Sequence, residues 1–150
     1  MGYVASVTSD VQSSNFHSQC ERIFREWDAA ARAADVEAML ALYADDALFE
    51  TALVPVVMPE KQDGVLRGKA ELRLFFARSS ANRPDQALRW YRTGRWLTDG
   101  ERLLAWEYPR RTPDGEQVDV AEFFEIENGL IACHRVYWGW KGASMIAPAL

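Results

Sequence analysis

The stretch VDVAEFFEIENGLIACHRVYWGW, residues 118–140, decides the fold of this 150-residue chain. Asn128-Gly129 separates two halves that are rich in β-branched and aromatic residues, which is a strong signal for a β-hairpin. Within 118–126 the even-numbered residues are apolar except Glu122, and within 130–140 they are apolar except His134. Because side chains alternate between the faces of a strand, this pattern predicts a buried face that carries one carboxylate and one imidazole.

Two more strand-like runs precede this hairpin and extend it into a meander. Residues 88–98 and 102–112 are rich in aromatic and β-branched residues, and Asp99-Gly100 lies between them as a hairpin dipeptide. Pro113-Asp114-Gly115 separates the second run from residues 116–126. The second half of the chain therefore predicts four consecutive antiparallel strands.

Helical spacing dominates the first half of the chain. Apolar residues recur every three or four positions from Phe16 to Ala34, and Asp35 is a candidate N-cap for a second, short helix. After a short strand over 47–51, residues 69–79 show the same helical spacing. Helices followed by a meander predict an α+β fold in which a curved antiparallel sheet covers the helices.

Composition excludes several classes of protein. Apolar residues make up 49% of the chain and charged residues 26%, which excludes a wholly disordered protein. A net charge of −5 predicts no nucleic-acid partner, and the lack of an apolar run of about 20 residues predicts no membrane span. Two cysteines cannot form a disulfide framework, so a cytoplasmic location is expected. We expect one domain over 15–142, with a flexible arm at 1–14 and a tail at 143–150.

Strand register predicts which ionisable residues meet. With two-residue turns at both Asp-Gly dipeptides, Arg92 lies opposite Glu107, and Glu107 lies opposite Glu122. In the last hairpin a two-residue turn would set Glu122 opposite Arg135, whereas a three-residue loop would set it opposite His134. We favour the second register because it keeps the apolar faces together. The prediction is a polar row of Arg92, Glu107, Glu122 and His134 on an apolar inner face.

The strand-like run 102–112 allows an alternative in which its inward and outward side chains are exchanged. Its bulkier alternate residues point outward in this register, and a bulge would reverse the strand and remove Glu107 from the row. If the register holds, the outer face is apolar enough to predict a homodimer through that face. The outer residues would be Tyr91, Trp106, Tyr108, Phe123 and Tyr137.

Glu122 is the predicted general acid or base. A carboxylic acid in a partly dry apolar pocket holds its proton more tightly than in water, which suits proton transfer near neutral pH. His134 would shuttle protons, with Glu122 fixing its tautomer and raising its pKa. Glu107 and Arg92 would tune the charge. The structural alternatives are an ion pair between Glu122 and His134, and an Arg92 that only neutralises a neighbouring carboxylate.

A flat apolar pocket for a small, apolar, oxygenated ligand is predicted beside this row. The long loop over 52–66 would cover it as a lid. No cofactor and no metal are expected, because Cys133 and His134 point to opposite faces of one strand and Arg92 disfavours a cation in the row. The aromatic residues that would shape the pocket are Trp27, Phe49, Phe76, Trp90 and Trp138.

Several motifs, taken in order, resemble the nuclear transport factor 2-like superfamily and in particular its SnoaL-like branch. They are the segments 35–47 (DVEAMLALYADDA), 67–72 (RGKAEL) and 118–131, followed by Tyr137-Trp138. The resemblance covers residues 16–141. It implies a cone in which a strongly bent sheet wraps three helices around a central pocket. Members include ketosteroid isomerases, limonene epoxide hydrolases, scytalone dehydratases, polyketide cyclases and non-catalytic binding modules.

The resemblance also implies site positions, some of which hold unexpected residues. The position of the isomerases' proton-shuttling Asp holds Thr51, that of the oxyanion Tyr holds Trp27, and that of its supporting Tyr holds Phe76. The final-strand Asp of limonene epoxide hydrolases corresponds to Val136. The resemblance therefore extends to neither of those two reactions by its usual mechanism.

Three other site positions match the isomerase pattern more closely. The oxyanion Asp corresponds to Glu122, a network Tyr to Tyr43, and a pocket Trp to Trp138. These matches leave two hypotheses. One is a cofactor-free enzyme of proton transfer, acting by isomerisation, dehydration, cyclisation or epoxide opening. The other is a non-catalytic binding or dimerisation module.

Overall fold

The protein, seen in a computed structural model, is described over residues 4–82 and 90–149. In these ranges the chain forms five α-helices and eight β-strands. The helices are α1 (Val4–Ala33), α2 (Val36–Leu40), α3 (Val54–Val57), α4 (Gly68–Ala81) and α5 (Trp140–Ile146), the last followed by a 3₁₀ turn over Ala147–Ala149. The strands are β1 (Tyr43–Thr51), β2 (Val65–Arg67), β3 (Leu97–Thr98), β4 (Leu103–Tyr108), β5 (Arg111–Thr112), β6 (Gly115–Glu116), β7 (Val120–Glu127) and β8 (Leu130–Trp138).

Six strands form one curved sheet, and the helices cover its inner face. The strand order is β2-β1-β8-β7-β4-β3, while β5 and β6 form a separate small hairpin. Strand β1 runs parallel to β8, and the other neighbours in the sheet are antiparallel. The predicted α+β class is confirmed. In the described parts of the chain, no helix is long and apolar enough to cross a membrane.

Helix α1 supplies the predicted apolar stripe. Phe16, Cys20, Ile23 and Ala30 are buried in the core. The N-cap prediction for the second helix is also correct, because the Asp35 carboxylate accepts a hydrogen bond of 3.0 Å from the backbone N–H of Ala38. The stripe packs α1 into the core, and the cap fixes the residue at which α2 begins.

Both ends of the chain contain more helix than the sequence predicts. Helix α1 begins at Val4, so most of the predicted flexible arm over 1–14 is helical. No Gly or Pro interrupts residues 4–33, which explains why the helix continues. Helix α5 and the turn after it occupy most of the predicted tail over 143–150.

The hairpin between β3 and β4 corrects the predicted register. Thr98 pairs with Leu104 rather than with Glu101. The cause is the Asp99 side chain, whose Oδ1 accepts hydrogen bonds from the backbone N–H groups of Glu101, Arg102 and Leu103 and so widens the loop.

Because the loop is wider, the side chains of β4 point to the faces opposite to those predicted. Leu104, Trp106 and Tyr108 are buried against the helices, and Glu107 is exposed on the outer face. The prediction that Glu107 joins an inner polar row is therefore wrong, and so is the placement of Trp106 and Tyr108 on the outer face. The larger apolar side chains take the buried face because burying them removes more apolar surface from water.

The last hairpin combines a two-residue turn with a bulge. Asn128 and Gly129 have φ values of +52° and +77° and close the turn. The register then shifts by one residue between Ile126 and Glu125, which sets Glu122 opposite Val136. Both predicted pairings of Glu122 are therefore wrong. The bulge nevertheless leaves Glu122 and His134 on the inner face, as the alternation predicts.

Arg92 does not lie on a strand. Of the predicted strand over 88–98, only Leu97–Thr98 is β-structure within the described residues, and 88–89 fall outside them. The segment is instead held by the Gln117 side chain, which bonds both backbone groups of Tyr91 and the carbonyl of Pro109. Arg92 therefore approaches the interior from the side of α1, outside the predicted row.

The loop over 52–66 is packed rather than lid-like. Val54 and Met58 are buried, so its apolar residues belong to the core. Lys61 forms an ion pair with Glu71 of α4 and fixes the far side of the loop. The loop therefore forms a wall of the fold.

On the outer face, Phe123 and Tyr137 remain exposed and their rings contact each other edge to face, with 5.5 Å between centroids. Tyr91 is also exposed, although it lies outside the strands. The homodimer through this face stays a prediction. Its predicted surface loses Trp106 and Tyr108, which are buried.

Candidate functional site

Two rows of side chains cross the inner face of the sheet. The strand registers align Thr51 of β1, Val136 of β8, Glu122 of β7 and Trp106 of β4 in one row. The next row aligns Phe49, His134, Phe124 and Leu104. Glu122 and His134 are therefore diagonal neighbours, and their side chains meet with 3.2 Å between Oε2 and Nε2.

A hydrogen-bonded chain leads from α1 to His134. The indole N–H of Trp27 donates to the Tyr43 hydroxyl at 3.0 Å, and this hydroxyl lies 2.8 Å from His134 Nδ1. Because an indole N–H can only donate, the Tyr43 oxygen acts as its acceptor and the Tyr43 O–H is available to donate to Nδ1. This direction places the imidazole proton on Nε2, the nitrogen that faces Glu122.

At the end of this hydrogen-bonded chain, the facing atoms of His134 and Glu122 lack hydrogen-bond partners within the described part of the protein. Glu122 Oε2 and His134 Nε2 are close, but their angles fall outside hydrogen-bond geometry, and neither atom has another hydrogen-bond partner among the described residues. Glu122 is only 6% exposed. The site therefore holds a buried carboxylate oxygen that no hydrogen bond from the described residues satisfies, and such a group is a candidate acid or base.

Burial keeps His134 neutral. Its side chain is 1% exposed, and burial lowers its pKa below the ordinary value of 6.5 despite the opposing effect of Glu122. Glu122 raises the pKa of His134 as expected, but burial outweighs this effect and makes the net direction downward. Burial also raises the pKa of Tyr43 well above its usual range, so the Tyr43 hydroxyl keeps its proton. The donors of the hydrogen-bonded chain, Trp27, Tyr43 and His134, are therefore all uncharged.

Aromatic rings fix the imidazole on several sides. Phe124 stacks on His134 with 4.0 Å between centroids, and Trp106 stacks on the far face of Phe124 at 4.2 Å. Phe49 contacts the imidazole edge to face at 4.8 Å. The carboxylate contact and the ring orientation are therefore maintained by packing across four strands.

Four of the residues predicted to line an open pocket instead pack together. The rings of Trp27, Tyr43, Phe49 and Phe76 contact one another or His134. Trp90 packs on Tyr108, with 5.9 Å between centroids. The prediction that these side chains shape an open pocket is corrected, because they form the packed environment of the imidazole and the region beside it.

Arg92 lies beside the carboxylate of Asp28 rather than that of Glu107, its predicted partner. Its guanidinium lies 3.5 Å from the ring centroid of Phe24, donates to the Phe24 carbonyl at 2.8 Å and lies 3.7 Å from Asp28. Burial lowers the pKa of Arg92, and the nearest charge that opposes this effect is Asp28. Its predicted contact with Glu107 is absent.

An open cleft lies beside the row, between the ends of β1 and β8 and helix α5. Its volume is about 530 Å³, and its lining is mainly apolar. Thr51, Val136 and Trp138 line it, and Trp138 Nε1 donates to Thr51 Oγ1 at 3.0 Å; their role as ligand-binding residues stays a prediction. Glu122 is not part of the lining, but it lies one strand away, opposite Val136.

Helix α5 is the part of the cleft that sequence reasoning missed. Ala143, Ile146 and Ala147 line the cleft from this segment, and their three- and four-residue spacing is a helical signal at the end of the chain. The helix can approach the indole because Gly142 has no side chain. A Cβ at that position would lie 2.4 Å from Cε3 of Trp138.

The neutral state of His134 predicts a pH dependence of stability. The unfolded chain takes up a proton at His134 near pH 6.5, whereas the folded protein does so only at lower pH. We expect the free energy of unfolding to fall as the pH drops from 7.5 to 5.5, and His134→Gln to lose this part of the slope. Urea unfolding at both pH values measures it, with His17→Gln as the control because His17 is the other histidine. An undiminished slope in His134→Gln contradicts the assignment.

A curved sheet with N-terminal helices over its inner face is the fold of the nuclear transport factor 2-like class. The sequence profile of the SnoaL-like domain matches residues 24–134. The chain belongs to the SnoaL-like family. Comparison with curated proteins found no match.

Solved structures support the fold. A SnoaL-like protein of unknown function from Burkholderia thailandensis superposes with a TM-score of 0.60 at 22% identity, over 81% of this chain and 95% of its own. A steroid delta-isomerase from Pseudomonas aeruginosa gives 0.57 at 14% identity, over 87% and 88%. SalBIII, an epoxide hydrolase/cyclase-like enzyme of pyran ring formation in the polyether salinomycin, gives 0.54 at 22% identity, over 84% and 95%. The fold family thus includes cyclases and isomerases.

Proposed function

We propose that this protein is a cofactor-free enzyme that moves a proton on a small, apolar, oxygenated molecule, with Glu122 as the general acid and base. The observation that carries the proposal is the buried Oε2 of Glu122, whose neighbour is the Nε2 of a neutral, oriented imidazole. Reactions of this class include isomerisation, dehydration, cyclisation and epoxide opening.

The chemistry follows from the direction of the hydrogen-bonded chain. The Glu122 carboxylate removes a proton from a carbon next to a carbonyl, and the electron pair of the C–H bond moves toward the carbonyl oxygen. The protonated carboxyl then returns the proton to the same or another atom of the substrate. The N–H at Nε2 of His134 lies 3.2 Å from the carboxylate, and its dipole stabilises the charged form, while Tyr43 and Trp27 hold the imidazole in the required tautomer.

The alternative function is a binding module without catalysis. The observations in its favour are that aromatic rings fill the interior around His134 and that Glu122 does not line the cleft. In this case Glu122 and His134 form a structural pair, and the cleft retains a ligand without changing it.

A deuterium-exchange assay separates the two functions. The protein is incubated in D₂O with ketones, enones and hydroxyketones, and in a parallel series with epoxides, and mass spectrometry follows deuterium uptake or conversion. We expect at least one compound to react faster than in buffer alone. If every compound reacts at the buffer rate, while some of them raise the melting temperature, the enzyme hypothesis is wrong and the binding module remains.

A further inference from the structure

We infer that the cleft beside α5 takes an uncharged, mainly apolar ligand through one acceptor oxygen, which the hydroxyl of Thr51 holds by donating its proton. This inference rests on the proposed function, because it names the class of molecule that would present a C–H bond to Glu122. A ketone, an enone or a cyclic ether has the required chemistry, whereas a carboxylate or a plain hydrocarbon lacks it.

The hydrogen bonds of Thr51 select an acceptor. Its Oγ1 accepts from Trp138 Nε1 at 3.0 Å and from the backbone N–H of Leu53 at 3.2 Å. A hydroxyl oxygen has two acceptor positions and one hydrogen to donate. Both acceptor positions are therefore used, and the hydroxyl hydrogen, which donates to no group of the described residues, is left for a ligand oxygen.

The charges at the cleft select an uncharged ligand. Glu50 and Asp63 contribute carboxylates to the lining, and Arg135 contributes a guanidinium. Arg135 is already engaged by Glu125 at 2.5 Å and lies 3.9 Å from Glu50. A ligand carboxylate would therefore meet two negative groups and a guanidinium that is already paired, which disfavours its binding.

The position of Thr51 directs the ligand toward the acid. Thr51, Val136 and Glu122 are neighbours in one row, so the Cα atoms of Thr51 and Glu122 lie roughly 10 Å apart, two strand spacings. A ligand whose oxygen is held at Thr51 and whose ring lies over Val136 has its nearby carbons between the two polar groups. The cleft volume of about 530 Å³ suits a ligand of two or three rings.

Three biphenyls of nearly equal shape test the inference. They are 4-acetylbiphenyl, which carries an acceptor oxygen, 4-ethylbiphenyl, which carries none, and biphenyl-4-carboxylate, which is charged. Equilibrium dialysis measures the three dissociation constants with the whole protein. We expect the ketone to bind about three- to tenfold more tightly than the ethyl compound, the range of one hydrogen bond, and the carboxylate to bind most weakly.

Two sets of variants place the binding in the cleft. Thr51→Val should abolish the preference for the ketone, and Thr51→Ser should retain it. Ala143→Trp fills the cleft and should weaken the binding of both neutral compounds at least tenfold, whereas Ser144→Leu, on the same helix but outside the lining, should leave binding unchanged. Circular dichroism and melting temperature verify that each variant folds.

The inference is overturned by equal affinities for the ketone and the ethyl compound, by tightest binding of the carboxylate, or by unchanged affinity in Ala143→Trp. Its failure is distinguishable from that of the proposed function. Glu122→Gln should bind 4-acetylbiphenyl as wild type does, so ketone binding without any proton exchange leaves the cleft assignment standing and rejects only the catalysis. Conversely, if Ala143→Trp does not change the rate of proton exchange, the catalysis stands and only the cleft assignment is rejected.

Discussion

Replacing Glu122 with Gln should lower the rate of proton exchange on a reactive compound by about 10²- to 10⁴-fold, the usual contribution of a general acid or base. The amide has nearly the same shape as the carboxylate but cannot take up a proton from carbon. Its oxygen can keep the same 3.2 Å contact with His134 Nε2, so the inner face should stay packed. The measurement is deuterium uptake by mass spectrometry with wild type and variant at equal concentration.

The matched control is Glu107→Gln. Glu107 lies on β4 one residue from Trp106, the cross-strand neighbour of Glu122, but its side chain is exposed on the outer face. The same chemical change there should leave the exchange rate unchanged. Equal losses in the two variants would mean that net charge rather than a positioned base controls the rate, and an unaffected Glu122→Gln would reject the catalytic role.

Sequence alternation was sufficient to assign the faces of β7, and those of β8 from His134 to Trp138, whereas before His134 the bulge turns Ile131 inward instead of Leu130 and Ala132. The reason is that burial of Val120, Phe124 and Ile126 on one side leaves little choice for the residues between them. The helix that begins after Asp35 was predictable for a similarly local reason, since its cap lies within the helix's own first turn. Features that depend on neighbouring residues in the chain are thus accessible from the sequence.

Register was not predictable from the sequence, because two local irregularities determine it. Asp99 binds three backbone N–H groups and widens a loop that its Asp-Gly dipeptide predicts to be tight. A bulge between Ile126 and Glu125 then shifts the last hairpin by one residue. Neither is signalled by the order of apolar and polar residues in the sequence, so both escape a counting argument.

The contact between Glu122 and His134 was nevertheless predicted, although the predicted register was wrong. Diagonal neighbours on one face of a sheet are within reach of long side chains, so the pair meets without being directly opposite. Tyr43 begins β1 and bonds His134, a contact that its place in the sequence does not signal. The complete chain of Trp27, Tyr43 and His134 joins three separate elements, which no spacing along the sequence connects.

The packing around His134 gives the largest expected effect on stability, at Phe124. This ring is fully buried and stacks between Trp106 and His134. Phe124→Ala should lower the free energy of unfolding by about 3–5 kcal/mol, because it leaves a cavity in the centre of the inner face. Phe123→Ala, the adjacent residue at 40% exposure, should cost only about 1 kcal/mol, mostly through its contact with Tyr137.

Urea unfolding of the two variants at pH 7.5 measures this difference, with the slope of the transition showing whether each remains two-state. The adjacent positions have the same side chain and the same strand, so only the face of β7 distinguishes them. A larger loss at Phe123 would reverse the assignment of the faces. It would also remove Glu122 from the interior, because Glu122 and Phe124 share their face, and the proposed chemistry would then lose its base.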